Sequence, residues 1–218
     1  MEIINFSENN SLIVQYLSEL RDVEIQKDSL RFRNNISRIG HLMAYEISKS
    51  LHYSSKQIQT PYCKTPMQIC DEKIVLGTIL RAGLPMHQGF LDSFDKAENA
   101  FISAYRKRSD DGHVEILTEY ISTPSLENKT LILCDPMLAT GLSMEHSYKA
   151  LLKNGTPKNL HIACVIASEQ AVEHIKEAFK DIENVTIWLG VIDPELNERS
   201  YIIPGLGDAG DLCFGEKL

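Results

Sequence analysis

Apolar residues along the chain fall into short continuous runs, separated by stretches in which they recur at helical spacing. The runs predict strands at residues 74–80, 99–105, 131–134, 160–168 and 185–192. Near-continuous apolar strands that alternate with helices are typical of a parallel sheet covered on both faces. The pattern therefore predicts an α/β fold, with a parallel sheet flanked by helices.

The predicted helices carry apolar residues at spacings of three and four. One begins near Ser29, and we interpret its stripe as core packing: Ile36, Ile39, Met43, Ile47 and Leu51. Others are predicted at residues 84–94, after residue 143 with Met144 and Tyr148 on its inner face, and after Ser168, which can cap a helix. About the first 25 residues show no clear periodicity.

Two stretches interrupt this rhythm. Residues 106–129 are rich in Ser, Asp, Gly and Glu, and the alternation at residues 114–121 predicts a short hairpin within them. An excursion of that length inside a compact domain is usually a lid or a binding loop. After Ile192 the periodicity ends, but a tail carrying Tyr201, Leu206 and Phe214 predicts a packed cap rather than a linker.

We expect one domain over residues 1–218, with an N-terminal helical region at about 1–60, a core at about 70–192 and the C-terminal cap at about 193–218. The net charge is −8 and there is no Lys/Arg run, which argues against nucleic acid as a partner. No stretch reaches the ~18 apolar residues of a membrane span. The N-terminus lacks a signal-peptide pattern. The five cysteines are odd in number and contain no C-x-x-C, which favours free thiols in a reducing cytosol, so we predict a cytoplasmic protein.

The most informative segment for function is residues 131–143. A short apolar run, Leu131–Cys134, ends in Asp135, and a loop of small and hydroxylic residues leads into a helix. In open α/β sheets, ligands bind in the crevice at the carboxyl ends of the strands. Free backbone N–H groups and the helix dipole favour an anion there. The sequence therefore predicts an anion site beside a carboxylate.

Three segments together carry a family resemblance. Residues 135–141 read Asp-Pro-Met-Leu-Ala-Thr-Gly, residues 79–84 read Ile-Leu-Arg-Ala-Gly-Leu, and residues 201–211 read Tyr-Ile-Ile-Pro-Gly-Leu-Gly-Asp-Ala-Gly-Asp. Their order and spacing resemble the uracil branch of the type I phosphoribosyltransferases, from about Arg33 to Gly215. The resemblance implies that fold, with a flexible lid and a C-terminal hood. It also implies that uracil and phosphoribosyl pyrophosphate (PRPP) are converted to UMP and pyrophosphate.

The resemblance also implies which residues form the site. The expected PRPP-binding residues are Arg81, Arg106, Asp135, Pro136, Met137, Leu138, Ala139, Thr140, Gly141, Leu142, Ser143 and Asp208. The expected uracil-binding residues are Ile202, Gly207, Asp208 and Ala209. Asp135, Arg106 and Asp208 are the expected catalytic residues.

Further expectations concern the cofactor and the partners. Mg²⁺ should arrive chelated by PRPP oxygens, with no dedicated protein ligand. The family implies a homodimer or higher homo-oligomer and makes GTP a candidate effector. Leu142 stands where the family usually has a second glycine, so its Cβ would strain the loop if φ were positive.

Two alternatives remain open from the sequence. One is a non-catalytic regulator on the same fold that binds uridine nucleotides and RNA, although an acidic chain argues against it. The other is a phosphoribosyltransferase for a different base, against which the wording of residues 201–211 argues. Simpler explanations apply to other residues: Cys134 should point into the core, Trp188 should be core, and the scattered His87, His113 and His161 should be core or surface residues.

Overall fold

In a computed structural model of the chain, residues 1–108 and 114–217 are described, and of residues 104–108 and 114–119 only the backbone. The first half contains β1 (Glu2–Asn5), α1 (Leu12–Arg21), α2 (Ser29–Ser48), β2 (Tyr53–Gln59), β3 (Lys64–Cys70), β4 (Ile74–Leu80), α3 (Leu84–Ser93) and β5 (Glu98–Arg108). The second half contains β6 (Val114–Ser122), β7 (Thr130–Cys134), β8 (Met137–Leu138), α4 (Leu142–Leu151), β9 (Asn159–Ser168), α5 (Glu169–Ala178), β10 (Val185–Asp193), β11 (Glu195–Leu196), β12 (Ile202–Ile203) and α6 (Ala209–Phe214).

The central sheet has the order β1-β10-β9-β7-β4-β5-β6, and the short β8 also pairs with β9. All of these pairs are parallel except β5–β6, which form an antiparallel hairpin at one edge. The predicted parallel sheet is therefore confirmed. The alternation at residues 114–121 belongs to a single strand, β6, which forms the hairpin together with β5. Of the stretch predicted as a lid, residues 109–113 with His113 lie outside the described residues.

The sheet is buried on both faces, because alternate residues of its strands enter two different hydrophobic clusters. Ile132 of β7 packs with α1, α2 and α3 on one face, whereas Leu131 and Leu133 pack with α4 and α5 on the other. A side-chain period of two produces this division, and it explains why the strands are apolar throughout.

Helix α2 shows how sequence signals set the helix boundaries. The carboxylate of Asp28 accepts hydrogen bonds from the N–H groups of Leu30 and Arg31 and so caps the first turn. The apolar stripe predicted from Ser29 onward is buried, including Leu51 just beyond the helix end. The predicted cap at Ser168 is also confirmed, since its hydroxyl accepts from the N–H of Ala171 at 2.9 Å.

Several elements did not follow from the sequence. Strand β1 extends the sheet at its edge, α1 precedes α2, and β2 and β3 form a separate antiparallel hairpin. No described helix has both the length and the hydropathy needed to span a membrane. The C-terminal residues fold into the small β11–β12 pair and α6, which cover the carboxyl edge of the sheet.

Candidate active site

The loop after β7 is held tightly against β9. The N–H of Asp135 donates to the carbonyl of Ala163, and β8 pairs with β9 through Met137 and Leu138. The hydroxyl of Ser168 donates to the carbonyl of Ala139 at 2.6 Å. These bonds fix the loop before any ligand arrives, so residues 135–143, which we call the phosphate loop, are preorganised.

The turn into α4 depends on Gly141. Its φ of +81° lies in the left-handed region, and a Cβ there would lie 2.8 Å from Cδ2 of His174. The next residue, Leu142, begins α4, and its φ is not positive. The strain considered for Leu142 therefore does not arise, because the residue in the left-handed conformation is Gly141.

A charged cluster supports the first turn of α4. The carboxylate of Glu145 accepts from Nζ of Lys149 at 2.6 Å and lies 2.7 Å from Nε2 of His174. The hydrogen bond from Lys149, together with His174, holds the pKa of Glu145 below its usual value against the opposing effect of burial. His174 thus touches both the loop glycine and the helix, which braces the turn from behind.

The loop after β4 places Arg81 at the carboxyl edge, next to the phosphate loop. The Leu80–Arg81 peptide bond is cis. Nη2 of Arg81 donates to Oδ1 of Asp211 at 3.0 Å and to the carbonyl of Gly215 at 3.1 Å, while Nε is buried without a hydrogen-bond partner in the described part of the chain. The guanidinium therefore faces the hood, and its Nε donor is unused.

Arg106 lies on β5, whose pairing with β4 extends to Ser103. The backbone of Arg106 pairs with Ile116 in the hairpin, beyond the carboxyl end of β4. Its side chain lies outside the described residues, so the role expected for Arg106 stays a prediction.

The hood, residues 195–217, contributes the backbone expected to contact the base. Gly207 has a φ of +89°, and Asp208 caps α6 by accepting from the N–H of Asp211 at 3.1 Å. Ala209 is fully buried, and that burial covers its backbone as well as its methyl group. Asp208 therefore has a structural role as a helix cap in addition to the one expected from the resemblance.

One cavity of about 470 Å³ opens between the phosphate loop, the Arg81 loop and the hood. Of the residues expected from the sequence, those that line it are Arg81, Asp135, Met137, Ala139, Ser143, Ile202, Gly207 and Asp208. A small adjoining cavity is lined by Leu138, Thr140 and Gly141 together with several of the same loop residues. Pro136 and Leu142 line neither cavity, nor does the buried Ala209.

Sequence reasoning missed two cationic residues that line the larger cavity, Arg199 and Lys217. Both are isolated in the sequence and stand in the irregular tail, so no periodicity or motif marks them. The folding of the hood over the sheet edge brings them beside Arg81. They add positive charge to a site that must accommodate an anion in an otherwise acidic chain.

Other side chains near the site are structural. Burial raises the pKa of the Cys134 thiol to about 12, so it remains a protonated core residue, as predicted. Trp188, His87 and His161 are also buried. In the described ranges no group of three or more His, Cys, Asp or Glu side chains could hold a metal ion.

Comparisons with known proteins agree over almost the whole chain. A family model described as uracil phosphoribosyltransferase matches residues 7–216. A uracil phosphoribosyltransferase of Porphyromonas gingivalis is 54% identical over 218 residues, with 100% of each chain covered. One of Thermococcus gammatolerans is 36% identical over 214 residues, covering 97% of this chain and 92% of the relative. A solved structure of a protein from Aquifex aeolicus is 30% identical, with a TM-score of 0.86 over 98% of each chain.

Proposed function

This chain belongs to the uracil phosphoribosyltransferase family, and from that premise we propose that the cavity between the phosphate loop and the hood is its active site. The enzyme transfers the phosphoribosyl group of PRPP to N1 of uracil and gives UMP and pyrophosphate. As the bond to the leaving pyrophosphate stretches, the ribose gains oxocarbenium character. The site must therefore hold both anionic ends of PRPP, place negative charge near the ribose and exclude water.

The phosphate loop binds the 5′-phosphate. Its backbone N–H groups converge at the N-terminus of α4, where unpaired donors and the helix dipole favour an anion. Thr140 lines the small cavity and Ser143 lines both cavities, and the hydroxyls of the two residues add further donors. Because the loop is already fixed by β9 and Ser168, little ordering entropy is lost on binding.

Asp135 holds the ribose. It stands at the carboxyl end of β7, lines both cavities and is only partly buried. A carboxylate there accepts hydrogen bonds from the 2′- and 3′-hydroxyls and favours the positive charge that grows at C1. The enclosed position strengthens that interaction relative to water.

Arg81 and Arg106 bind the pyrophosphate, with Arg199 and Lys217 as additional cations. A guanidinium offers paired donors that match phosphate oxygens. The Arg81–Asp211 pair is partly exposed, at 37% and 34% of the two side chains, and such pairs contribute little stability. Pyrophosphate can therefore replace Asp211 as the partner of the Arg81 guanidinium with little loss of folding free energy.

The hood reads the base through its backbone. Uracil presents an acceptor, a donor and an acceptor at O2, N3 and O4, and main-chain groups at Gly207 and Asp208, which line the cavity, can mirror that pattern. Glycine allows the backbone to approach a flat ring closely. Ile202 provides apolar contact, and Asp208 lies where base and PRPP meet.

Mg²⁺ would be supplied together with PRPP. The carboxylates of Asp135 and Asp208 line the cavity and can accept the waters of a hydrated cation, while Mg²⁺ readily keeps water and substrate oxygens as ligands. When bound, the metal neutralises charge on the leaving pyrophosphate. The protein residues orient the sugar, the base and the phosphates around it.

The family further supports a cytoplasmic homodimer or higher homo-oligomer, with GTP as a candidate effector and the β5–β6 hairpin as the lid over the reacting atoms. Light scattering of the purified protein tests the oligomer. Initial rates with and without GTP test the effector.

The observation that carries the proposal is the shared cavity, which brings the phosphate loop, Arg81 and the base segment of the hood together. Its test is incubation with PRPP, Mg²⁺ and either uracil, cytosine or hypoxanthine, scored for the nucleotide formed. Cytosine places a donor at position 4 and no hydrogen at N3, so two buried polar groups are mismatched at ~1–3 kcal/mol each. We expect uracil to react at least ~100-fold faster than cytosine, and comparable rates would contradict the proposal.

A further inference from the structure

The turn that precedes the base segment of the hood is held by a buried carboxylate from the sheet. Asp193, the last residue of β10, is 4% exposed. Its Oδ2 accepts from the N–H of Gly205 at 2.9 Å, and its Oδ1 accepts from Nη2 of Arg21 at 2.7 Å. One side chain therefore links the N-terminal helix α1, the central sheet and the hood.

The turn at Gly205 leaves no room for a side chain. Gly205 has a φ of +64°, and a Cβ there would lie 2.0 Å from the carbonyl oxygen of Ile202. A buried N–H that loses its acceptor costs ~1–3 kcal/mol. The direction of the backbone from Gly205 to Gly207 thus depends on where Asp193 holds that N–H.

Gln26, which follows α1, contacts the same segment. Nε2 of Gln26 donates to the carbonyl of Leu20 at 2.9 Å and approaches the carbonyl of Leu206 at 3.4 Å. Two backbone groups of this segment therefore depend on the N-terminal region. The N–H of Gly205 is bonded to Asp193, which Arg21 contacts, and the C=O of Leu206 faces Gln26. The next residue, Gly207, lines the active-site cavity.

We propose that Arg21 and Asp193 form a positioning pair that sets the backbone of residues 205–209 for recognition of uracil. The inference rests on the proposed function, in which that backbone reads the base. Arg21 fixes which way the Asp193 carboxylate faces, and the carboxylate fixes Gly205. A buried ion pair of this kind is poor support for stability but can specify one geometry over another.

The pair should affect one substrate more than the other. Of the residues assigned to PRPP, only Asp208 lies within residues 205–209. The phosphate loop and Arg81 lie outside that segment, and in the described part of the chain no hydrogen bond joins them to Arg21 or Asp193. Displacement of residues 205–209 would misalign the groups facing uracil and leave the 5′-phosphate site intact. A general distortion of the site would instead raise the KM values of both substrates, and a loss of folded enzyme would lower the apparent kcat.

The test is steady-state kinetics of Arg21→Met, Arg21→Lys and Asp193→Asn, with the thermal transition measured for each. Arg21→Met and Asp193→Asn should raise the KM for uracil about tenfold or more, keep the KM for PRPP within about twofold and reduce the preference for uracil over cytosine. Arg21→Lys should restore uracil affinity, because only one nitrogen of Arg21 bonds to Asp193 and an ammonium can replace it.

The matched control is Arg31→Met. Arg31 makes two hydrogen bonds to Glu19 between α2 and α1, away from the hood, so its loss should leave both KM values unchanged. The decisive variant is Arg21→Met. The Arg21 side chain is 24% exposed, so water can reach the Asp193 oxygen that it frees and folding should persist, while the carboxylate loses the partner that fixes its direction.

An unchanged KM for uracil in folded Arg21→Met, or equal increases for uracil and PRPP, would overturn the inference. If the wild-type protein forms UMP from uracil while Arg21→Met behaves normally, only the positioning pair is wrong. If the wild-type protein forms no UMP, the proposed function itself fails.

Discussion

At the scale of single residues, the site depends on side chains that combine a structural contact with a chemical one. Asp135 accepts weakly from the N–H of Met137, at 3.4 Å, and also faces the cavity. Asp208 caps α6 and lines the same cavity. Substitutions at such positions must preserve the structural contact if the chemical one is to be measured.

Asp135→Asn keeps the shape of the side chain and removes its charge. Because that charge matters most when C1 becomes positive, we expect kcat to fall at least ~10²-fold with a modest change in PRPP affinity. Steady-state kinetics with varied PRPP measure both. If kcat holds and only KM moves, Asp135 anchors the ground state and its assigned role is wrong.

Asp208→Asn isolates the chemical role of Asp208, because asparagine caps a helix about as well as aspartate. We expect a near-native thermal transition, a loss of UMP synthesis of ~10²-fold and a smaller loss of uracil binding, since small misalignments of reacting atoms are costly. Asp208→Ala is the comparison, and it should also lose ~0.5–2 kcal/mol of stability with the cap. If Asp208→Asn has the kcat and KM values of the wild type, Asp208 serves only as the cap of α6.

At the scale of secondary-structure elements, the apolar pattern predicted the strands and helices whose residues are regularly buried. Strands β4, β7 and β9 are buried along nearly their whole length, so each appears as an apolar run. The β2–β3 hairpin was missed because most of its residues are exposed and show no apolar alternation. Arg199 and Lys217 could not be predicted as site residues, because only the folded hood brings them beside Arg81. The phosphate loop was predictable because one continuous segment supplies it.

The phosphate loop and the β5–β6 hairpin should contribute to different parts of PRPP. Thr140→Ala should weaken both PRPP and UMP, because both carry the 5′-phosphate, whereas Arg106→Ala should weaken PRPP and pyrophosphate but leave UMP nearly unaffected. Calorimetric titration of each variant with UMP and pyrophosphate separates the two outcomes. Equal losses of UMP affinity in the two variants would mean that Arg106 does not serve the pyrophosphate.

At the scale of the whole molecule, stability should depend on pH through buried histidines. His161 is 6% exposed, and burial lowers its pKa from 6.5 to about 4. Its Nδ1 accepts from Nε1 of Trp188 at 3.1 Å. The unfolded chain takes up a proton below about pH 6.5 and the folded chain only below about pH 4, so stability is lost across that window.

His161→Asn should remove that dependence, because its amide oxygen can accept from Trp188 but does not titrate. We expect the free energy of unfolding of the wild type to fall by about 3 kcal/mol more than that of the variant between pH 6.5 and pH 4, from urea melts at each pH. Burial also lowers the pKa of His87, but His87 is present in both proteins and cancels. Parallel curves of unfolding free energy against pH for His161→Asn and the wild type would disprove the assignment.

The central claim is that one cavity at the carboxyl edge of the sheet holds the phosphate, the ribose and the base together. The most direct measurement is a crystal structure with UMP bound. We predict the 5′-phosphate against the N–H groups of residues 139–143, the ribose hydroxyls on Asp135 and the uracil edge along Gly207 and Asp208. Binding of UMP instead at the opposite edge of the sheet, in the cavity of about 530 Å³ lined by Lys73, Lys129 and Lys158, would contradict the account.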